Sequence, residues 1–525
     1  MTQTVLRGLI LLHRYLGIPL GVLFVVWFAS GIVMMYTGDM PRLTPERQVE
    51  RRPPLDLAGV ALSPAAAARR ALLAPAPRRA LLLTVLDRPA YRFDGVTVFA
   101  DTGERLGKVG PAAAVRVASR FAGLPLDAVE HVRTLDEPDQ WTLVERGRLP
   151  LHQLRVADAA GTVLYVSPRT GEVVLETTRR SRALAWLGAI PHWFYFTALR
   201  TNQPLWSAVV VWTATLGCVL AVLGLALGVT QFRWRTRSKT ARSGRAGPRI
   251  PYAGWMRWHY LTGVVFGVVT LTWVFSGLLS MEPYAWTRAR GLEVPPDALA
   301  GGRLDLTRFP PVDPQAWARL AEGRVVKEIE LLRVQDDPYY LIRTVPGPDG
   351  EASPPGSGPA DLLAAADTLG VRNEPFDVEA LLARLTAAIP GTPIVASELL
   401  HDYDAYYYAR RSAAPLPVLR VKLGDPQETW VYVDPARGRV VSSTHRLGRV
   451  ERWLFNGLHS LDFAFWYDRR PLWDIGLIVL SLGGVASSGI GLWIGWGRVR
   501  RAIGRGLPAR AVRTGRARAR ATPRR

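Results

Sequence analysis

Four of the chain's eight histidines fall into two matched pairs. His13 and His259 each open the pattern His-x3-Gly-x3-Gly, as His13, Gly17 and Gly21 and again, 246 residues on, as His259, Gly263 and Gly267. His192 and His459 each stand twelve residues before a Pro-Leu-Trp (204–206 and 471–473), at an offset of 267. On a helix the glycines at i+4 and i+8 share the face of the imidazole. They leave clear space there for a flat macrocycle. Two such helices related by a two-fold axis would present two imidazoles to one iron from opposite sides. Bis-His ligation leaves no open position and favours electron transfer over oxygen chemistry. A metal without porphyrin fits less well, because no Asp, Glu or Cys stands beside these histidines at ligand spacing. The competing structural readings are a helix-packing face for the small-x3-small pattern and a solvated interfacial group for each histidine. His131, His152, His401 and His445 have no mate at either offset and read as surface or structural. The single cysteine, Cys218, lies in an apolar run. That excludes internal disulfides, Cys-based zinc or iron–sulfur sites, and covalent haem attachment through Cys-x-x-Cys-His.

The elements that position these residues are membrane spans. Four stretches, 9–36, 204–230, 259–281 and 471–496, are apolar over the roughly 20 residues a bilayer requires. The first is too long for a secretory signal and reads as a retained anchor. The net charge of +22 is concentrated beside them. Residues 1–14 carry Arg7 and Arg14, 231–257 carry eight Lys or Arg without an acid, and 498–525 carry eleven Arg without an acid. This is the positive-inside pattern, with both termini in the cytoplasm of a multi-pass inner-membrane protein. Charge so placed reads as membrane orientation rather than a nucleic-acid footprint, so no nucleic-acid partner is expected. The loops 37–203 and 282–470 then lie outside and are too long to be connections.

Both loops read as α+β. Strands Leu164–Val166 and Thr429–Val433 are each followed by Pro and Gly (Pro168, Gly171; Pro435, Gly438), which is hairpin chemistry. Segments 63–74 and 378–388 read as helices, and 345–360, rich in Gly, Pro and Ser, as an insertion. Trp27, Ser30 and Gly31 recur as Trp273, Ser276 and Gly277 at the first offset. Tyr165, Trp186, Gly217, Gly224 and Gly228 recur as Tyr432, Trp453, Gly484, Gly491 and Gly495 at the second. The halves enter the membrane in the same direction, as a parallel repeat. The expected order is span one with its leader (1–36), outer domain one (37–203), span two (204–230), basic loop (231–258), span three (259–281), outer domain two (282–470), span four (471–497) and basic tail (498–525).

His192 and His459 sit among aromatic residues suited to the interface and to a porphyrin edge: Trp193, Phe194 and Tyr195, and Phe455, Phe463 and Trp466. Arg200 and Arg469 there, and Arg14 and Arg257 near the first pair, are candidate partners for haem propionates. From His13 to the far end of its helix near Tyr36 is roughly 35 Å. One haem cannot bridge that depth, so two are expected.

His-Arg-Tyr-Leu-Gly (13–17), Tyr-Val-Ser-Pro-Arg-Thr-Gly-Glu (165–172), Tyr-Val-Asp-Pro-Ala-Arg-Gly-Arg (432–439) and the histidine before the second span resemble the PepSY-associated transmembrane family, often labelled iron-regulated membrane proteins. The resemblance runs from residue 5 to about 497. It implies PepSY-like outer domains, haem b in the membrane part with His13, His192, His259 and His459 as axial ligands, and in some members reduction of ferric siderophores at the periplasmic face. Relatives fused to flavin modules exist. Here the glycines of the last span follow no strand and are not a dinucleotide fingerprint, so quinol or a separate cytoplasmic reductase is the expected donor. Two other functions compete: a membrane-anchored PepSY protein that binds and inhibits a protease, and an iron-chelate transporter. The second would need broken helices or polar groups near the midplane, and these spans are short of them.

Overall fold

The computed structural model describes residues 3–73, 76–232, 249–284, 288, 290–295, 297–320, 323–347, 360–410 and 414–506. Residues 233–248 of the basic loop, 348–359 of the expected insertion and 507–525 of the tail lie outside the described residues.

Among the described residues six helices exceed ten residues: α1 (Gln3–Thr37), α2 (Pro111–Ala122), α3 (Gln203–Gln231), α4 (Gly254–Leu279), α5 (Val378–Ala388) and α6 (Leu472–Gly506). Four of them, α1, α3, α4 and α6, are long and apolar enough to cross a membrane. Helix is the form such a segment takes in lipid, because it pairs every backbone N–H and C=O internally. Helix α4 starts five residues before the expected span. Its first turns hold Trp255, Arg257 and Trp258, residues whose polarity lowers hydropathy but suits the membrane–water boundary.

The chain divides into two compact units. The described residues of the first, which comprises 1–29, 213–275 and 478–525, are largely helical. Glycines let its helices approach closely. A Cβ at Gly21 would lie 3.1 Å from Leu492, at Gly267 2.8 Å from Leu225, and at Gly484 2.4 Å from the Phe28 ring.

The second unit, residues 30–212 and 276–477, is β-rich. Its strands are β1 (Ala80–Val85), β2 (Arg88–Phe93), β3 (Val96–Phe99), β4 (Val129–Leu135), β5 (Leu151–Val156), β6 (Val163–Val166), β7 (Val173–Thr177), β8 (Arg324–Val334), β9 (Asp337–Pro346), β10 (Ala360–Ala365), β11 (Ile394–Leu400), β12 (Val418–Leu423), β13 (Trp430–Asp434) and β14 (Arg439–Thr444). Two antiparallel four-stranded meanders run β4-β5-β6-β7 and β11-β12-β13-β14. A helix precedes and covers each one. Ala114, Ala118 and Phe121 of α2 pack on Leu154, Leu164 and Val166, and Leu381 and Leu385 of α5 pack on Leu419, Val421 and Val433. Each buried aliphatic side chain contributes about 1.5–3 kcal/mol. The expected hairpins are present. Their turns close on Gly171 (φ +65°) and Gly438 (φ +57°), where only glycine adopts the conformation at no steric cost.

A third sheet has the order β10-β9-β8-β1-β2-β3. The central pair, β1 with β8, is antiparallel, with Leu82 opposite Ile329. Residues 37–203 and 282–470, two separate domains in the sequence reading, therefore contribute to one sheet. Its β1–β2 and β8–β9 hairpins turn on Leu86–Asp87 and Gln335–Asp336, all four at positive φ. This is the mirror-image turn that matches strand twist, reached here without glycine. One face of the sheet buries Leu82, Tyr91, Phe93, Ile329 and Tyr340 under Phe309 and Trp317. The other carries ion pairs. Arg52 and Arg92 hold Glu172 from the β6–β7 turn, Arg52 and Arg343 hold Glu328, and Arg343 and Arg79 hold Glu330.

Candidate histidine centres

The structure brings the four repeated histidines together two by two. His13, on α1, faces His259, on α4, with ring centres 6.3 Å apart and planes inclined by 41°. His259 Nδ1 lies 3.1 Å from the carbonyl oxygen of Ser487 on α6, so it donates there. His13 Nδ1 is buried; the Leu220 carbonyl of α3, counterpart of Ser487 at the 267-residue offset, faces it without closing a hydrogen bond. Glycines admit both rings. A Cβ at Gly224 would stand 3.0 Å from His13 Cε1, and a Cβ at Gly491 3.0 Å from His259 Cε1.

His192 and His459 form the second pair, with ring centres 6.2 Å apart and planes at 86°. His192 lies in the turn Ala189–Trp193, and His459 lies in Leu458–Ser460 after one π-helical turn, Arg452–Gly457. Two residues beyond each histidine the chain takes a left-handed conformation at a non-glycine residue, Phe194 (φ 52°) and Leu461 (φ 48°). Such a conformation costs about 1–2 kcal/mol in a residue with a Cβ. The tryptophans of the Pro-Leu-Trp motifs hold both turns. Trp206 Nε1 donates to the Trp193 carbonyl at 2.9 Å, and Trp473 Nε1 to the Ser460 carbonyl at 3.0 Å. Ser30 Oγ lies 3.0 Å from His192 Nδ1, and Ser276 Oγ 3.1 Å from His459 Nδ1. Both serines are buried, 2% and 0% exposed. Beside them a Cβ on Gly31 or Gly277 would lie 3.6 Å from the Cε1 of His192 or His459.

A third histidine pair serves as an internal ruler. His131 Nε2 and His152 Nδ1 are 3.3 Å apart, and their ring centres are 5.2 Å apart. His152 donates Nε2–H to the Val109 carbonyl at 2.8 Å, so its Nδ1 is the acceptor for Thr134 and His131. Burial and the adjacent His152 ring hold His131 below its ordinary pKa. This pair is hydrogen-bonded and structural. The repeated pairs stand about 1 Å wider. Two opposed imidazoles sharing one metal, with about 2 Å from metal to nitrogen and about 1.1 Å from nitrogen to ring centre, have centres about 6.2 Å apart. Both repeated pairs stand at that separation. A proton held at Nδ1 would leave the lone pair on Nε2.

The other residues singled out in the sequence take varied positions. Gly17 and Gly263 face Leu220 and Ser487, while Gly21 and Gly267 face leucines of other helices. All four lie at helix–helix contacts, and the glycines against the imidazoles are Gly31, Gly224, Gly277 and Gly491. Arg14 is half-buried and feels the like charge of Arg498 on α6, which also acts on His259. This concentration of cations near the first pair suits an anionic group. Arg257 is exposed. Arg200 stacks over Tyr195 and Trp206 at 5.0 and 4.3 Å and donates to Gln203. Arg469 is exposed. Arg200 Nε is buried without a hydrogen bond, whereas Arg452, in the π-helical turn, donates to the Ala405 and Asp462 carbonyls and pairs with the Asp462 carboxylate at 3.5 Å. Sequence reasoning passed over Ser30 and Ser276 as chemistry, although both stand in the repeated Ser-Gly.

Comparison with curated proteins returns no match. The chain matches the PepSY-associated TM region family over residues 10–388. That range includes His13, His192 and His259 and three of the four apolar helices. With four helices able to cross a membrane and a match over most of its length, this chain is a membrane protein that belongs to the PepSY-associated TM region family.

Proposed function

We propose that the protein is a haem b transmembrane oxidoreductase that passes electrons across the cytoplasmic membrane to an acceptor outside, a ferric chelate of the siderophore class. The observation that carries this reading is the separation of the repeated rings, 6.3 and 6.2 Å, against 5.2 Å in the hydrogen-bonded pair of the same chain. The surrounding residues fit the group. Nδ1 of His192, His259 and His459 lies at an oxygen, the rings stand against glycines, and Arg14 and Arg498 offer charge to carboxylates near the first pair.

In this reading His13 and His259 hold one haem and His192 and His459 the other; when bound, each supplies a one-electron ferric–ferrous couple. Along α1, His13 and Ser30 are seventeen residues apart, about 25 Å of helix, so each pair serves its own level of the bilayer. The Arg-rich segments orient the first pair toward the cytoplasm, where quinol or a separate reductase delivers electrons. The β-rich unit, with its two PepSY-like meanders in a parallel repeat, then lies outside, on the acceptor's side. Ferric iron is held tightly by hard oxygen ligands and ferrous iron much less so, so one-electron reduction frees the metal.

Absorption spectra of purified, haem-supplied protein before and after dithionite test the reading. Low-spin bis-imidazole bands and two haems per chain are expected. His13→Ala should lose one haem and His192→Ala the other. A colourless wild-type protein, or unchanged haem content in both variants, sinks the proposal.

A further inference from the structure

The two histidine levels are alike in spacing but differ in what holds each Nδ1. At the first level the partner is a main-chain carbonyl: Ser487 O bonds His259, and Leu220 O faces His13. At the second level both imidazoles meet a serine hydroxyl, Ser30 at 3.0 Å and Ser276 at 3.1 Å. The serines are themselves equivalent, each seventeen residues after the first-level histidine of its own helix. Both are essentially inaccessible to solvent, so water cannot substitute for them at once.

We infer that Ser30 and Ser276 are positioning residues that set the reduction potential at the His192/His459 level, making it distinct from that at the His13/His259 level. The inference rests on the haem reading above. Its physical basis is the hydrogen bond from Nδ1–H. The better the acceptor, the more electron density the imidazole passes to the metal through Nε2, and the more the ferric state is favoured. A carbonyl and a hydroxyl differ as acceptors, so equal ligands acquire unequal donor strength. The serine is also fixed to the histidine by geometry. It sits on a membrane helix, whereas His192 and His459 lie in short turns closed by a strained residue, and the hydroxyl fixes ring rotation, accepting from Nδ1–H when Nε2 is the ligand.

The test is a redox titration of the full-length, haem-loaded protein followed by its visible spectrum. The wild type should titrate in two steps. Ser30→Ala with Ser276→Ala removes both acceptors, so one step should move to higher potential by about tenfold in its equilibrium constant, about 59 mV for a one-electron couple. Ser30→Thr with Ser276→Thr keeps both hydroxyls and should return that step to the wild-type value. In His13→Ala, which is expected to lack the first-level haem, the serine-sensitive step should be the one that remains. The inference is overturned if the Ala pair loads two haems and titrates as wild type, if Thr fails to restore the step, or if the sensitive step is the one lost with His13. Absence of haem from the wild type would instead defeat the function itself, which the spectrum reveals before any titration.

Discussion

The carbon atom that glycine lacks decides where two imidazoles stand. A Cβ at position 224 or 491 comes within 3.0 Å of the Cε1 of His13 or His259, tighter than ordinary contact, and the ring must give way by a few tenths of an ångström. Gly224→Ala and Gly491→Ala should therefore each lower the haem-to-protein ratio at the first level, with an overpacking cost of about 1–3 kcal/mol. Haem content and the thermal midpoint of each variant read the effect, and full loading with an unchanged midpoint would show that the ring position is not constrained by these glycines. The histidines were legible in the sequence because chemistry and repetition coincide in them. The glycines were only half legible. Spacing of four places Gly17 and Gly21 on the face of His13, but which neighbour fills that face depends on helices some 200 residues away. The serines carried no label at all beyond their recurrence.

At the scale of elements, the turns bearing His192 and His459 are irregular, and each is held by one indole N–H. Trp206→Phe and Trp473→Phe keep the ring and remove the donor to the Trp193 or Ser460 carbonyl. Each should cost about 1–3 kcal/mol, because a part-buried carbonyl loses its partner beside a strained residue. A lower melting midpoint with an altered second-level spectrum and an intact first-level spectrum is the expected signature. An unchanged spectrum and midpoint would mean that the turn is held by other contacts. The membrane helices, the paired hairpins and the segment 378–388 follow directly from hydropathy, turn chemistry and periodicity. The π-helical turn and the left-handed Phe194 and Leu461 do not, since nothing local favours either. Only the indole contact from the following helix makes sense of Pro-Leu-Trp.

For the whole molecule, the ion pairs beneath the six-stranded sheet join strands from both halves. Burial acts to raise the pKa of the Glu172 carboxyl, but Arg92 and Arg52 outweigh it and hold the group below its ordinary value. A carboxylate depressed in the folded state contributes fully above its unfolded pKa of about 4.3, and that contribution fades as pH falls through the lower folded value. Unfolding of the β-rich unit, followed by circular dichroism, should show stability falling below about pH 4 in the wild type. Glu172→Ala leaves Arg92 buried without a carboxylate and Arg52 with Glu328 alone, and should cost about 3–5 kcal/mol at neutral pH, with a shallower acid dependence. A neutral-pH midpoint equal to wild type would show that the pairing is not needed. The sequence reading assigned residues 37–203 and 282–470 to separate domains because sequence signals are local, whereas the pairing of Leu82 with Ile329 joins residues far apart in the chain.

That pairing makes the two halves structurally indivisible. Cut between the second and third membrane helices, the protein would become two fragments, each with an unsatisfied row of backbone donors and acceptors along β1 or β8. Each fragment would have to recapture the other, bind a second copy of itself, or aggregate.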